Sequence, residues 1–206
     1  MIENPTTFYI TRHGETEWNI KGLMQGHEDS PLTPLGKGQA RQLSDKLRGI
    51  HFDEIFSSDL IRAIKTAEVI ALERNLAVKA TRALRERNMG IFEGTKSDEF
   101  WSLFNEWQKL SEEERKKHKR SGDFETVEES ESMTTRLINF LRETAIAFRG
   151  KSILIMTHGG IMSHFLTHLG YGENKRLWIE NGALAKIESD GIEFDIKEIE
   201  GVKIAQ

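Results

Sequence analysis

The chain has 206 residues, 30% of them charged and 37% hydrophobic, a balance expected of one soluble globular domain with a substantial core and not of a disordered chain. Its formal net charge of −4 gives no basis for a general nucleic-acid or membrane-surface binder. There is no cysteine, so neither disulfides nor thiolate chemistry contribute. No apolar run reaches the roughly 20 residues of a membrane span, and Met1–Pro5 lacks the basic start and apolar stretch of a signal peptide. A cytoplasmic protein is the expectation.

In chain order, Phe8-Tyr9-Ile10 reads as a buried strand that ends at Thr11-Arg12-His13-Gly14. Thr33 is a candidate N-cap with Pro34 at the first helical position, and Ala40, Leu43, Leu47 and Ile50 line one face of the helix that follows. Phe52 to Ser57 reads as a short buried strand. A helix from about Asp59 to Arg74 carries Leu60, Ile64, Ala67 and Ala71 at helical spacing, and Asn75–Val78 leads to another short extended piece. Alternation of this kind predicts an α/β fold, a three-layer α/β/α sandwich with a largely parallel central sheet.

The segment from about 95 to 126 breaks that rhythm. Phe100, Leu103, Phe104, Trp107 and Leu110 form an apolar helical face. Ser111 then reads as an N-cap for Glu112-Glu113-Glu114, with the cations Arg115 to Arg120 in the last turns before Gly122, a polarity that suits the helix dipole. This is read as a helical insertion beside the rim of the site. Met133, Leu137, Leu141, Ala145 and Phe148 mark a long helix ending near Gly150. A strand from Ser152 to Met156 and a helix from about Ile161 to Leu169 follow. Ala183–Glu188 and Ile192–Ile199 flank Ser189-Asp190-Gly191 as a C-terminal hairpin.

Two of these strands end alike. Ile153-Leu154-Ile155-Met156 runs into Thr157-His158-Gly159-Gly160 as the first strand runs into Thr11-Arg12-His13-Gly14. Ligands of open α/β sheets gather at the carboxyl ends of strands, and a cation, two imidazoles and glycines delivered there suit phosphoryl chemistry. The same stretches, with Gln25-Gly26, Leu32-Thr33-Pro34-Leu35-Gly36, Ser57–Ala63, Leu84–Gly90 and Phe92-Glu93-Gly94, are similar in order and spacing to the histidine phosphatase superfamily, the phosphoglycerate mutase-like family. The match spans nearly the whole chain.

The resemblance implies a phosphohistidine at His13, a phosphoryl group held by Arg12, Arg62 and His158, and Glu86 as general acid. The chemistry of these residue types agrees. Neutral imidazole attacks phosphorus through Nε2 when Nδ1–H is held by a backbone acceptor. Guanidinium forks match phosphoryl oxygens in a bidentate way that lysine cannot reproduce, and a bound phosphate favours cationic His158. Glu15 and Glu93 are rivals of Glu86, Glu93 reading as structural beside Gly94. Asn19, Gln25, Gly26 and Gly159 are second-rank substrate contacts, Gly26 and Gly159 being open equally to a role in turn geometry. Gly14 and Gly160 read as turn residues and Trp18 as packing.

Arg41, Lys65, Arg82, Arg85 and Arg87 read as surface ion-pair residues, and His27, His51 and His118 receive no role. His164 and His168 lie at i, i+4, a spacing that can grip zinc but more commonly marks an ordinary helix face. No companion ligands flank His158 at metal-binding spacing. No metal and no cofactor are expected. One departure from the family pattern is Thr126–Ser132, where Gly-Glu-Ser is common and extra acids stand instead. The expected activity is metal-independent hydrolysis of a small phosphorylated metabolite. A 2,3-bisphosphoglycerate-dependent phosphoglycerate mutase and a non-catalytic phospho-ligand-binding module are the alternatives. Lys116, Lys117, Lys119 and Arg120 suit a solvated helix end better than a polyanion dock. The oligomeric state is not legible.

Overall fold

A computed structural model describes residues 4–111, 113–115, 124, 126–173 and 175–204. Its six strands are β1 (Thr6–Arg12), β2 (Glu54–Ser58), β3 (Val78–Thr81), β4 (Ser152–Thr157), β5 (Leu177–Ser189) and β6 (Phe194–Ile204). They form one sheet in the order β3-β2-β4-β1-β5-β6. The first four of that order run parallel, while β5 and β6 are antiparallel to their neighbours. The expected largely parallel sheet and C-terminal hairpin are both present.

Helices cover both faces. On one side α2 (Pro34–Lys46) and α3 (Ile61–Leu72) bury Leu43, Leu47, Ala63, Ala67 and Ile70 against Tyr9, Ile55, Leu154 and Met156. On the other, α5 (Ser130–Ala147) and α6 (Gly159–His168) bury Met133, Leu137, Leu141, Phe165 and Leu166 against Phe8, Ile10, Ile153 and Ile155. The near-continuous apolar runs of β1 and β4 follow from this, because a central parallel strand is buried on both faces. Thr33 caps α2 as its sequence predicts, its hydroxyl accepting from the Gly36 amide at 2.9 Å with Pro34 in the first turn. Such a cap is worth about 1 kcal/mol.

Four details differ from the sequence reading. A short helix α1 (Glu17–Lys21), closed by a Thr16–Asn19 capping box, follows the first strand. In α3 the buried stripe is Arg62, Ala63, Thr66, Ala67, Ile70 and Ala71, with Ile64 only half-buried. The stripe is shifted because Arg62 itself points inward. In α4 (Ser97–Lys109) the buried side runs through Phe100, Trp101, Phe104 and Trp107, and Leu103 is exposed. These aromatics form a separate small core with Met24, Met89, Phe92, Phe124 and Val127. Finally, β5 begins at Leu177, six residues ahead of the expected Ala183, and carries a register shift between Ile179 and Leu184.

Ser111 is capped as expected, since its hydroxyl accepts from the Glu114 amide at 3.3 Å and its own amide donates to the Glu114 carboxylate at 2.8 Å. The expected run of Lys116, Lys117, Lys119 and Arg120 lies outside the described residues. Among the described residues no helix is long and apolar enough to cross a membrane.

Candidate active site

The carboxyl ends of β1 and β4 are adjacent, with Arg12 paired to Thr157 in parallel register. That pairing brings the two strand-end histidines together. The His13 and His158 rings lie 5.1 Å apart between centroids, inclined at 64°. His13 Nδ1 is 2.7 Å from the Gly14 carbonyl. A carbonyl only accepts, so this contact requires the proton on Nδ1 and leaves the Nε2 lone pair available. The main chain of His13 is held on both sides, its amide donating to the Thr157 carbonyl at 3.1 Å and its carbonyl accepting from Asn181 Nδ2 at 3.0 Å.

Gly14 explains why two separate motifs must be present together. A Cβ at Gly14 would stand 2.4 Å from the carbonyl oxygen of Gly36, and one at Gly36 would stand 2.0 Å from that of Glu15. The turn after β1 therefore packs backbone to backbone on the first turn of α2. Both residues must be glycine for this approach.

Two arginines stand beside the histidines. Arg12, the last residue of β1, donates through Nη1 to the Ile179 carbonyl, and its buried Nε has no partner. Arg62 is almost wholly buried, with Nη1 on the Glu28 carbonyl (2.6 Å) and Asp29 Oδ1 (2.9 Å) and Nη2 on the Gly26 carbonyl (2.7 Å). Its Nε is also unpartnered. Asp29 additionally caps α3 by accepting from the amides of Ile61 and Arg62 at 2.7 and 3.3 Å. Burial pushes the Arg12 guanidinium down to about 10, against the upward pull of Glu86, so it stays charged at neutral pH.

Both imidazoles are held well below their usual value of 6.5, first by burial and then by the positive field of Arg62 and Arg12. His13 and His158 are therefore neutral at neutral pH. The cationic His158 that a bound phosphate favours thus requires that anion to enter. Both His158 ring nitrogens are buried with no hydrogen-bond partner, an expensive arrangement unless a ligand supplies one.

These groups border a cavity of about 440 Å³, which Arg12, His13, Arg62, Glu86, Asn19, Gln25, Gly26 and Gly159 line, while His158 is wholly buried against the His13 ring. Gln25 Oε1 is buried and unpartnered. Asn19 Oδ1 is used by the Thr16 amide at 3.1 Å and by Asn181 Nδ2 at 3.4 Å, which turns its amide N–H groups into the end free to donate. Gly26 takes a left-handed backbone (φ 52), and a Cβ there would collide with Glu93. Gly159 opens α6, where a Cβ would press on the Arg12 guanidinium at 3.2 Å. Gly160 also serves the site and not a turn, as its amide donates to Glu86 at 2.8 Å.

Of the three acids weighed from sequence, only Glu86 reaches the cavity. Its carboxylate accepts from the amides of Arg87, Gly160 and Ile161 at 2.8–3.0 Å, so it sits on the positive N-terminus of α6. Glu15 is bonded to the Thr33 hydroxyl at 2.8 Å. Glu93 accepts from the amides of His27, Glu28 and Met89 and is structural, as its sequence reading has it.

Several wall residues carried no signal from sequence. Arg87, read as a surface ion-pair residue, lines the cavity with Nε on the Glu128 carbonyl at 2.6 Å. His27, given no role, does not line the cavity but places Nε2 2.9 Å from the Glu86 carbonyl. His164 lines the cavity with Nδ1 3.0 Å from the Gly160 carbonyl, while His168 is exposed. Trp101, Arg176 and Trp178 also reach the wall. Among the described residues no group of three or more His, Asp or Glu is arranged to hold a metal.

The acid-rich departure at Thr126–Ser132 has a structural explanation. Arg136 donates to the carbonyls of Ala83 and Glu86, both at 2.8 Å, and to both oxygens of Glu128. Glu128 in turn accepts from the Asn88 amide at 3.1 Å. The net effect on Glu128 is downward: burial opposes its charge, but Arg136 and the Asn88 amide outweigh it. The pair clamps the loop that presents Glu86. Arg136→Met strands a largely buried carboxylate and the Ala83 carbonyl. It is expected to cost roughly 2–4 kcal/mol, seen in thermal unfolding as a fall in Tm of about 5–10 °C. A Tm within a degree of the parent would remove the clamp from the account.

Comparison with known proteins bears on the whole assembly. Residues 8–200 match the family model of the Histidine phosphatase superfamily (branch 1). A broad-specificity phosphatase of Saccharomyces cerevisiae is 32% identical over 82% of this chain and 72% of its own length. The uncharacterized phosphatase PhoE of Bacillus subtilis is 30% identical, with coverage of 94% and 93%. The crystal structure of a phosphoglycerate mutase from Bacillus anthracis superposes with a TM-score of 0.83 at 28% identity, covering 94% of this chain and 92% of that one.

Proposed function

The chain belongs to the histidine phosphatase superfamily and is a phosphatase, and on that premise we propose that it hydrolyses small phosphorylated metabolites, without a metal, through a phosphohistidine on His13. The observation that carries this reading is the neutral His13 ring, with Nδ1 tied to the Gly14 carbonyl and two buried guanidiniums beside it. Nε2 attacks phosphorus as the ester P–O bond breaks. Arg12 and Arg62 take the equatorial oxygens, and His158 gains a proton and a partner when the phosphoryl group arrives. Glu86 gives its proton to the leaving oxygen. Ionised, it then takes a proton from the water that attacks phosphorus and breaks the N–P bond, releasing phosphate and neutral His13.

A mutase reading draws support from the likeness to the Bacillus anthracis phosphoglycerate mutase. A panel of phosphomonoesters, scored for phosphate release and for product identity, separates the two. Release of free phosphate without isomer exchange supports hydrolysis, and transfer between hydroxyls of one substrate supports a mutase. Ligand binding with no turnover on any ester would favour a non-catalytic module.

The charges of the site lead to two expected results. Because the two arginines and His158 supply the stabilisation that a divalent ion provides in other phosphatases, treatment with a chelator is expected to leave kcat/KM unchanged. An enzyme that is folded but inactive until zinc or magnesium returns would contradict this. The second concerns pH. His13 must be neutral to attack, and its value lies well below 6.5, so the acid limb of kcat/KM is expected below pH 6.5. The same shift lowers stability in acid. The unfolded chain takes up protons near pH 6.5 and the folded chain does not, so stability is full above that pH and falls as pH drops beneath it. A pH–rate profile and melting curves check both, and an acid limb centred above pH 6.5 counts against a neutral His13.

A further inference from the structure

Besides the groups given to the phosphoryl group, the cavity lining carries an apolar portion, Trp101 and Phe104 of α4 with Met89 and Met133, next to the polar Ser130, Ser163 and His164. Among the described residues the single carboxylate there is Glu86, whose oxygens already accept three backbone amides. Within that lining Trp101 and Phe104 offer a flat apolar surface.

Two guanidiniums remain once Arg12 and Arg62 are given to the phosphoryl group. Arg176 lies over the Trp101 ring, 4.1 Å from its centroid. Arg87 lies 5.6 Å from the Phe104 centroid with Nε on a carbonyl. Stacking on an indole fixes the guanidinium plane and leaves its in-plane N–H fork open to a pair of anionic oxygens. Arg176 has no carboxylate partner among the described residues.

Building on the phosphatase reading above, we propose that the preferred leaving group is a flat, largely apolar body carrying a second anion at its far end. The body lies against Trp101 and Phe104, and Arg176, with Arg87 beside it, takes the anion. A three-carbon phosphocarboxylate leaves the aromatic surface uncovered.

The test uses two aryl esters of matched shape and leaving-group acidity, 4-(carboxymethyl)phenyl phosphate and its neutral carbamoylmethyl analogue. The full chain is expected to favour the carboxylate in kcat/KM by about tenfold, with the preference narrowing as salt is raised. In Arg176→Gln the ratio of the two is expected to fall to about one. Trp101→Leu is expected to lower both aryl esters relative to glycerol 3-phosphate. Equal kcat/KM for the two esters in the parent, both hydrolysed and both lost in His13→Ala, overturns the second-anion site and leaves the phosphatase reading standing. A preference that survives Arg176→Gln overturns the assignment to Arg176. If the folded parent hydrolyses no ester at all, the phosphatase reading itself falls and takes the proposal with it.

Discussion

His13→Ala is expected to lose the acid-labile, base-stable phosphoenzyme and to lower kcat by at least roughly 10³-fold, since losing a nucleophile removes the covalent route itself. The geometry leaves little scope for a substitute. His158 is wholly buried with its ring 5.1 Å from that of His13, and the guanidiniums of Arg12 and Arg62 remain protonated and cannot attack. The fold should survive, because the main-chain bonds of His13 to Thr157 and Asn181 do not involve the ring. Trapping with labelled substrate followed by acid and base treatment measures the intermediate directly. Turnover near the parent level in a folded His13→Ala protein would end the phosphohistidine account.

What the sequence made legible follows from where the signals are local. β1 and β4 are continuous apolar runs broken by Arg-His-Gly and Thr-His-Gly, so strand and strand end are written side by side. Thr33-Pro34 announces α2 because cap and first-turn preferences act over three residues. Asp29, Glu128 and Asn181 are different. Each works through contacts to residues far along the chain: Asp29 on Arg62, Glu128 on Asn88 and Asn181 on His13. No periodicity marks such pairs. The start of β5 was hidden for another reason. Glu180-Asn181-Gly182 has the composition of a turn, and the strand passes through it only with a register shift, as Gly182 takes a left-handed φ of 77°.

Arginine roles divide along the same line. The motifs of Arg12 and Arg62 assign them to the phosphoryl group, whereas Arg85 and Arg87, in a motif as well, flank Glu86 symmetrically in sequence and part company in space. Arg85 forks onto Asp59 at 2.6 and 2.7 Å, the ion-pair role expected of it. Arg87 turns to the cavity because the Glu128 carbonyl and the Phe104 ring lie on that side. Both partners belong to segments whose approach depends on the aromatic core under α4. Charge pattern alone does not distinguish the two residues.

Glu86→Gln is expected to separate the acid role from a merely structural one by its dependence on the leaving group. A proton from the acid matters most when the departing alkoxide is poor, because protonation then removes more of the barrier. Nitrophenolate leaves with little help and a sugar alkoxide needs much. In single-turnover measurement of the phosphorylation step, alkyl phosphates should lose about 10²–10⁴-fold and aryl phosphates far less. The amides of Arg87, Gly160 and Ile161 complicate the substitution, since all three donate to this carboxylate. A glutamine amide offers one acceptor oxygen where the carboxylate offers two, so the start of α6 loosens by an amount that acts on every substrate alike. That common loss is the structural part, and the excess on alkyl esters is the chemical part. The two are read from the same data, because a slope against leaving-group acidity is indifferent to a uniform fall. Equal losses on alkyl and aryl esters would take the acid role from Glu86 and leave it as the cap of α6. Glu15 and Glu93 offer no replacement, for neither carboxylate reaches the cavity, and the proton would then have to come from water.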